Sequence, residues 1–234
     1  MLLYYFTSSR YGLAAIRDDR LKVSRFSELN DPSDNLGISV TGIMNKLTLM
    51  QQRDKFNTQG GIICMSKNWR EPLLWGHYAE NYHGTCLVFE ADDEWWFDVA
   101  YIKEKPTVET FGKKSFSELT ERDLMALGLM KSERWVYEAE RRRFVEFTDY
   151  DFVDNIYFKK FDKAMQLKAV LFGFRSKVTD LQIEKILEFN KDIKLGFTRN
   201  SEKYFHIILD QTERNLRIPL ERRIRYNDKK QLVL

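Results

Sequence analysis

The chain has 234 residues, of which 43% are hydrophobic and 14% aromatic, so it can build a substantial core and does not have the composition of a disordered chain. Its 38 basic and 35 acidic residues give a formal net charge of +3, which is too small to indicate a nucleic-acid-binding protein by itself. Two cysteines argue against a secreted disulfide scaffold, and because no apolar run reaches membrane-spanning length, we expect a cytoplasmic protein without membrane contact.

The first part of the chain alternates short strands with helices. The strand at residues 2–6 is too short and too aromatic for a signal peptide, and Ser8 or Ser9 caps the helix that follows it. The other elements predicted here are a strand at residues 20–26, a turn at Asn30, Asp31 and Pro32, a helix at 36–57, a strand at 62–65, a helix from Pro72 to about Gly84 and a strand at 85–89.

The second part continues the alternation without a linker or a repeat. Thr120 and Asp123 form a capping pair for a helix that runs to about residue 130. Strands at 169–172, 193–197 and 204–209 flank a helix at 179–190. We therefore predict one α+β domain over residues 1–234, with a mixed or antiparallel sheet flanked by helices. Residues 1–150 would hold the site, and residues 168–234 would be a β-rich extension of the same domain.

A charged block precedes the apolar residues that end at Phe147. If its strand begins early, Glu138, Glu140 and Arg142 point to the same side, because side chains two apart share a face. Two adjacent carboxylates are costly unless a cation, a metal or a ligand compensates them. The block is either a functional site or the solvated face of an edge strand, and the pattern alone leaves both open.

Further candidate side chains lie in three other segments. A single helical histidine such as His77 is more often a packing or surface residue than a catalytic one. We expect Trp75 and Trp135 to be buried scaffold residues beneath a pocket that these segments share. The candidates are Tyr5 and Thr7 in the first strand, Asn30 and Asp31 in the turn, and His77 and Tyr78 in the helix.

The sequence contains two sets of residue types that can bind metal ions. Cys64, His77, His83 and Cys86 match no spacing of a zinc finger or ribbon, so no zinc site is predicted. Four carboxylates could instead bind Mg²⁺, which prefers oxygen ligands, and the chain would then be a nuclease. No lysine follows these carboxylates at a spacing that would indicate such an enzyme. The carboxylates concerned are Asp31, Asp34, Glu138 and Glu140. We predict no metal ligand, and the nuclease remains an alternative.

Several motifs in register resemble the bacterial domain-of-unknown-function family 2971. They cover most of residues 2–147, and residues 167–173 resemble a later strand of that family. The motifs are Tyr4 to Ser8, Phe26 to Pro32, Ser66 with Trp75 to Ala79, Gly84 to Phe89, and Lys131 to Arg142. This resemblance implies membership of a family but no activity.

A second, weaker resemblance is to the opening of ADP-ribosyltransferase-like domains, in which a strand, Thr-Ser, a helix and a second strand follow one another. It implies that NAD is a substrate and that a glutamate on a late strand stabilises the oxocarbenium-like transition state as nicotinamide leaves. By this resemblance Glu138 or Glu140 is the catalytic carboxylate, and Tyr78 or Tyr82 stacks on nicotinamide. We expect Glu140 to be the principal carboxylate and Glu138 the secondary one, because Glu140 lies deeper in the strand that continues to Phe147.

The first strand departs from that pattern, because Tyr5 stands where those domains have histidine or arginine. The contact that Tyr5 does not supply would come from His77, Asn30 or Arg142. Thr7 and Asp31 complete the NAD site that the resemblance implies.

Three hypotheses follow. The first is an ADP-ribosyltransferase-like enzyme that cleaves NAD and modifies a nucleic acid or a protein, and the resemblance implies a role as a toxin or in phage defence. The second is a metal-dependent nuclease that uses Asp31, Glu138 and Glu140. The third is a non-catalytic sensor whose charged block holds a small ligand.

Overall fold

The structure is a computed structural model that describes residues 1–31, 33–34, 37–148, 151–227 and 231–234. The α-helices of the described residues are α1 (Ser9–Asp18), α2 (Ile43–Gln59), α3 (Pro72–Tyr78), α4 (Glu121–Leu127) and α5 (Asp180–Phe189). The first strands are β1 (Leu2–Thr7), β2 (Arg20–Val23), β3 (Gly60–Ser66), β4 (Thr85–Ala91), β5 (Phe97–Asp98), β6 (Ala100–Ile102), β7 (Met130–Ser132) and β8 (Glu140–Glu146). The later strands are β9 (Asp151–Val153), β10 (Ile156–Lys160), β11 (Met165–Phe172), β12 (Lys194–Asn200), β13 (Ile207–Leu209), β14 (Arg225–Tyr226) and β15 (Leu232–Val233). The predicted mixture of helices and strands is confirmed.

The chain divides into two compact units, each made of separate segments. The first unit comprises residues 1–20, 65–95 and 161–234, and the second comprises residues 21–64 and 96–160. The segment predicted as a β-rich extension therefore belongs to the same unit as the N-terminal strand. That residues 1–234 form one domain stays a prediction.

The first unit contains a mixed sheet in which β13, β12, β11, β4 and β1 are neighbours in that order. Only the β11–β12 pair among these is parallel, and α5 lies between the two strands in the chain, since parallel neighbours need a crossover connection. The core of this unit is apolar and includes Tyr4, Trp69, Trp75, Val88 and Leu171.

Helix ends in this unit follow the predicted signals. The Ser8 hydroxyl accepts a hydrogen bond from Tyr11 N, and Pro72 stands in the first turn of α3. Thr179 and Gln182 form a reciprocal capping box at the start of α5, which ends at Phe189 with Asn190 as its cap. The helix predicted at 179–190 is thereby confirmed.

The second unit is built around short sheets and aromatic side chains. Strands β3, β8 and β5 are neighbours in that order, β2, β10 and β9 form another sheet, and β6 pairs with β7 in parallel. The Phe26 ring contacts Phe56 edge-on at 5.1 Å between centroids and stacks on Phe144 at 6.2 Å. The predicted cap of α4 by Thr120 and Asp123 is confirmed here.

Three predictions for this unit were wrong in their bounds. The helix predicted at 36–57 begins at Ile43, since Gly42 takes a left-handed φ of 82°, and residues 35 and 36 lie outside the described residues, as does Pro32. The strand predicted at 20–26 ends at Val23, because Phe26 opens a 3₁₀ turn. The strand of the charged block does not begin early either: a 3₁₀ helix occupies Glu133–Glu138.

Within the described part of the chain, no helix has both the length and the apolar character needed to cross a bilayer.

The scaffold role predicted for Trp75 can be tested by its removal. The indole is fully buried, donates from Nε1 to Trp69 O at 2.6 Å and meets the Phe6 ring edge-on at 5.2 Å. We expect Trp75→Ala to lower the free energy of unfolding by about 3–5 kcal/mol, because it leaves a large cavity. Urea denaturation checks this, with Trp95→Ala as the control, since Trp95 is 46% exposed. An unchanged midpoint for Trp75→Ala would contradict the scaffold role.

Candidate functional site

Five charged side chains of the second unit form one buried group, called here the charge cluster. Its members are Asp34, Lys131, Glu138, Glu140 and Arg142, and each side chain is 7% exposed or less. They come from three places in the chain: the segment after the Asn30–Asp31 turn, strand β7, and residues 138–142, which end a 3₁₀ helix and begin β8. A solvated edge strand, the alternative interpretation of the charged block, does not describe these residues.

The Lys131 ammonium lies among the three carboxylates of the cluster. Its Nζ is 2.5 Å from Glu138 Oε2, 3.2 Å from Glu140 Oε2 and 3.6 Å from Asp34 Oδ2. The ammonium also lies 4.9 Å from the centroid of the Trp135 ring, which is half-buried rather than buried as predicted. The three carboxylates thus compensate for the burial of the Lys131 charge.

The Arg142 guanidinium holds the other side of Glu140. Its Nε donates to Glu140 Oε1 at 2.8 Å and its Nη2 to Glu140 Oε2 at 3.0 Å, which is a bidentate pair. Nη2 also donates to Asp34 Oδ2 at 3.0 Å, and Nη1 donates to Gly128 O at 2.7 Å. Arg142 thus fixes the orientation of Glu140 and ties it to Asp34.

Backbone geometry, and not a strand repeat, brings Glu138 and Glu140 to the same ammonium. Glu138 ends the 3₁₀ helix, Ala139 takes a left-handed φ of 44°, and β8 begins only at Glu140. The Tyr101 hydroxyl accepts a hydrogen bond from Glu140 N at 2.8 Å and so anchors the start of the strand. Burial raises the pKa of Tyr101 to about 12, so this hydroxyl stays neutral at ordinary pH.

The electrostatic states of the cluster follow from the balance between burial and neighbouring charge. Burial acts to raise the pKa of Glu140, but Arg142 and Lys131 outweigh it and the pKa lies below the usual glutamate value. For Asp34, burial outweighs the same two cations and raises the pKa. Burial acts to lower the pKa of Lys131, yet Glu140, Asp34 and Glu138 raise it well above the usual lysine value. Glu140 is therefore ionised and Lys131 protonated, and Asp34 is the carboxyl whose protonation would balance the charges.

Cys64 adds a thiol to this group from strand β3. Burial, followed by the charge of Glu140, raises the pKa of the Cys64 thiol well above its usual value. The thiol therefore stays protonated and adds no charge to the cluster.

Two spaces adjoin the cluster within the second unit. A cavity of about 140 Å³, called here the lysine cavity, is bounded by Lys103, Lys105 and Lys131, together with Ser33 and Ser132, and its lining also includes Glu104. A space of about 40 Å³ lies beside Asp34, whose Oδ1 has no hydrogen-bond partner among the described residues. The smaller space has room for a water molecule, whereas the larger one has room for a small anionic group.

The predicted site residues are distributed over both units. The three predicted residues of the charged block, Glu138, Glu140 and Arg142, lie together in the charge cluster. Asn30 is exposed, while Asp31 is buried and its Oδ1 accepts from Ser33 N at 2.8 Å. The first unit holds the remaining candidates: exposed His77, half-buried Tyr5 and Tyr78, and buried Thr7. That the two sets form one NAD site stays a prediction.

Lys131 and Cys64 were not predicted as site residues. Lys131 stands seven residues before Glu138 in the motif that carries the family resemblance, and this spacing was the available signal. Cys64 gave no signal, because its position in an apolar strand is ordinary for a cysteine.

The carboxylates considered for Mg²⁺ are not arranged as a metal site. Within the described residues, no group of three or more histidine, cysteine, aspartate or glutamate side chains is placed to hold a metal ion. The physical reason is that the Lys131 ammonium already occupies the space among Asp34, Glu138 and Glu140.

Comparisons of the chain with protein-family models, with curated proteins and with solved structures gave no match. The charge cluster and the lysine cavity are therefore the features of the molecule that bear on its function.

Replacing Arg142 should lower the free energy of unfolding, because the buried carboxylates of the cluster lose one of their two cations. Arg142→Leu leaves Glu140 and Asp34 with one cation between them, and we expect a loss of about 3–5 kcal/mol in the free energy of unfolding at pH 7. Because the pKa of Glu140 is lowered in the folded protein, the loss should shrink as the pH falls below the usual glutamate value. Urea denaturation at several pH values measures it, with exposed Arg134→Leu as the control. Equal stability of the two variants would contradict this account.

Asp34→Asn should stabilise the protein at neutral pH, whereas Arg142→Leu should destabilise it. The raised pKa of Asp34 means that its contribution to stability is complete at acid pH and is lost as the pH rises through that pKa. Asparagine keeps the shape of the protonated acid, so we expect the variant to match the wild type near pH 4 and to exceed its melting temperature increasingly toward pH 8. A variant that loses stability as the pH rises would show that the ionised carboxylate is the stabilising form.

Proposed function

We propose that the second unit binds the phosphate groups of NAD in the lysine cavity, and that the chain is an ADP-ribosyltransferase-like enzyme that cleaves NAD and modifies a nucleic acid or protein. The observation that carries the proposal is the position of Lys131. It is both the cation at the centre of the charge cluster and a wall of the lysine cavity.

The lining of the cavity suits a phosphate. Lys103, Lys105 and Lys131 supply positive charge, Ser33 and Ser132 supply hydroxyl donors, and Glu104 offsets a single charge. At about 140 Å³, the space is smaller than the roughly 300–1,000 Å³ typical of sites that enclose a whole ligand. We therefore assign it to the pyrophosphate, with the nucleoside parts of NAD outside it.

The carboxylates next to Lys131 could stabilise the transition state of NAD cleavage. Cleavage breaks the bond between ribose C1′ and the nicotinamide nitrogen, whose electron pair leaves with nicotinamide, and the acceptor then bonds to C1′ and loses a proton. An ionised carboxylate near C1′ stabilises the cation-like transition state, whereas a protonated one contributes little. The lowered pKa of Glu140 supports this role.

Glu140 is engaged by both cations, so substrate has to change its surroundings. A phosphate beside Lys131 would compete for the ammonium that now lies 3.2 Å from Glu140 Oε2. In the proposed mechanism this shift turns the side of Glu140 Oε2 that faced Lys131 toward the ribose. Arg142, which donates to both oxygens of Glu140, keeps the carboxylate ionised and oriented.

The pairing of the buried carboxylates with Lys131 and Arg142 also favours a second candidate function, that of a sensor. Because Asp34, Glu138 and Glu140 all lie against cations, the cluster could serve only to orient Lys131, and the unit would then be a sensor that binds a phosphorylated ligand without turnover. The nuclease alternative lacks such support, since a lysine fills the position that a metal ion needs.

The test separates chemistry from binding. We expect wild-type protein to release nicotinamide from NAD, Glu140→Gln to lower kcat about 10²–10³-fold, and Glu138→Gln to have a smaller effect. Lys131→Met should raise KM more than it lowers kcat, and Lys46→Met, an exposed lysine of α2, is the matched control. Chromatography of nicotinamide gives the rates, and thermal melting checks that each variant is folded.

The other outcomes decide between the proposals. Full activity of Glu140→Gln with none in Glu138→Gln would reverse the two carboxylates. Stabilisation by NAD or ADP-ribose without turnover, lost in Lys131→Met, would leave the sensor. If NAD is not cleaved and neither NAD nor ADP-ribose stabilises the protein, the proposal that it binds NAD is wrong.

A further inference from the structure

Positive charge is concentrated in the C-terminal segment of the first unit. Residues 161–234 contain 16 basic and 10 acidic residues, an excess of 6, whereas the whole chain has an excess of only 3. Residues 1–160 therefore carry more acidic than basic side chains. This uneven distribution indicates a local surface for a polyanion, which the net charge of the whole chain does not reveal.

Four cations of this segment lie at one short turn and are called here the basic patch. The turn includes a 3₁₀ helix at Leu220–Arg222. Buried Ile218 and Ile224 hold the turn against the sheet, and Ile224 N donates to Leu195 O at 2.9 Å near the start of β12. The members of the basic patch are Lys194, Arg222, Arg223 and Arg225.

Backbone carbonyls, and not carboxylates, order three of these cations. The donors and acceptors are Lys194 Nζ to Glu221 O at 2.7 Å, Arg223 Nε to Ile218 O at 2.7 Å, and Arg225 Nη2 to Leu220 O at 3.3 Å. Among the residues that the structure describes, no carboxylate forms an ion pair with a member of the patch. A carbonyl restricts a cationic side chain without neutralising it, and each guanidinium keeps further N–H donors. An anion can therefore bind the patch with a reduced loss of side-chain entropy.

Another arginine of the same stretch has a structural role instead. Arg217 donates to Asp180 Oδ1 at 2.6 Å and to Val178 O at 2.7 Å, and so ties the stretch to the start of α5. The charge of Arg217 is thus compensated by a carboxylate. At the basic patch the exposed Glu221 offsets one of four positive charges, which leaves an excess of three.

Exposed aromatic rings lie in residues 201–206, between β12 and β13, called here the aromatic loop. Tyr204 is 57% exposed and Phe205 is fully exposed. Lys203 Nζ lies 5.3 Å from the centroid of the Tyr204 ring, and that ring stacks on His206 at 5.4 Å. Because Phe205 buries no area in the fold, its ring is available to a partner. Aromatic rings beside cations are the arrangement on which unpaired nucleic-acid bases stack.

The basic patch and the aromatic loop lie along the same edge of the first unit's sheet. Strand β14 leaves the patch at Arg225, and the hydroxyl of the next residue, Tyr226, accepts a hydrogen bond from Leu209 N in β13 at 3.0 Å. Strand β13 follows the aromatic loop directly and pairs with the end of β12. Strand β12 has seven residues and extends about 20 Å between the two features.

We propose that this edge of the first unit binds single-stranded nucleic acid. The basic patch binds phosphates of the backbone, since guanidinium groups can bind a phosphate through two nitrogens. Tyr204 and Phe205 stack on bases, which a single strand exposes. A duplex keeps its bases stacked inside, so it offers phosphates to the patch but no bases to the loop. The surface belongs to the first unit alone and does not rest on the NAD cleavage proposed above.

The experiment is fluorescence anisotropy of the whole chain with a labelled oligonucleotide of about 20 nucleotides, longer than the roughly 4–16 nucleotides of one single-stranded site. Single-stranded DNA and RNA are each compared with the duplex of the same sequence, at about 50 and 200 mM salt. We expect at least one single strand to bind at least tenfold more tightly than its duplex. Its affinity should fall as the salt concentration rises, because binding releases counterions.

Two variants separate the phosphate contacts from the base contacts. Arg222→Gln combined with Arg225→Gln should weaken binding at least tenfold and reduce the dependence on salt. The matched control is Lys185→Gln combined with Lys191→Gln, which removes the same charge from exposed positions of the first unit and should leave binding unchanged. Phe205→Ser should weaken binding at least fivefold without changing the dependence on salt, because stacking releases no counterions.

Several outcomes would overturn the proposal. Equal weakening by the arginine pair and the lysine pair would show that net charge, and not the basic patch, governs binding. Equal affinity for the duplex, or unchanged affinity of Phe205→Ser, would exclude base stacking. Absence of binding at about 50 mM salt with protein at about 100 μM would exclude nucleic acid, and binding to anionic phosphatidylserine vesicles alone would identify a membrane instead. Thermal melting checks the fold of each variant, and no NAD is present, so failure here is distinct from failure to cleave NAD.

Discussion

The second unit is organised around an ammonium group that three buried carboxylates surround. Lys131 could not be buried as an isolated charge, and the carboxylates could not be buried beside one another without it. Arg142 closes the group by holding Glu140 through two nitrogens and Asp34 through one of them. The position of each member depends on the others, so the segment after the Asn30–Asp31 turn, strand β7 and the start of strand β8 are fixed together.

This arrangement also bears on the anion binding that we propose for the lysine cavity. A lysine on a surface loses side-chain freedom when it binds an anion, whereas Lys131 has lost that freedom on folding. An anion that entered the lysine cavity would therefore meet one cation already held in place. Lys103 and Lys105, which are exposed, add charge but not the same fixed geometry.

Local signals in the sequence were sufficient for much of the fold. Capping pairs such as Thr120 with Asp123 and Thr179 with Gln182 act within one turn, so they can be recognised without knowledge of the tertiary structure. The pairing of Glu138 with Glu140 was also predicted, but for a wrong reason: a left-handed Ala139, and not a continuous strand, brings them together. The choice between site and solvated strand depended on burial, which a pattern of alternating charges does not report. Lys131 as their shared partner and Cys64 on Glu140 are tertiary contacts, and no short-range pattern contains them.

The long separation within the cluster has a consequence for the order of folding. Asp34 and Arg142 are 108 positions apart in the chain, whereas Lys131, Glu138, Glu140 and Arg142 lie within a single short stretch. Closing so long a loop is entropically costly, so contacts of this kind form late. Until then the local charges can pair with one another in water and stay hydrated. The arrival of the Asp34 segment would then be the step that removes their water, and the rate-limiting barrier of the second unit would include the dehydration of ions as well as the collapse of its aromatic core.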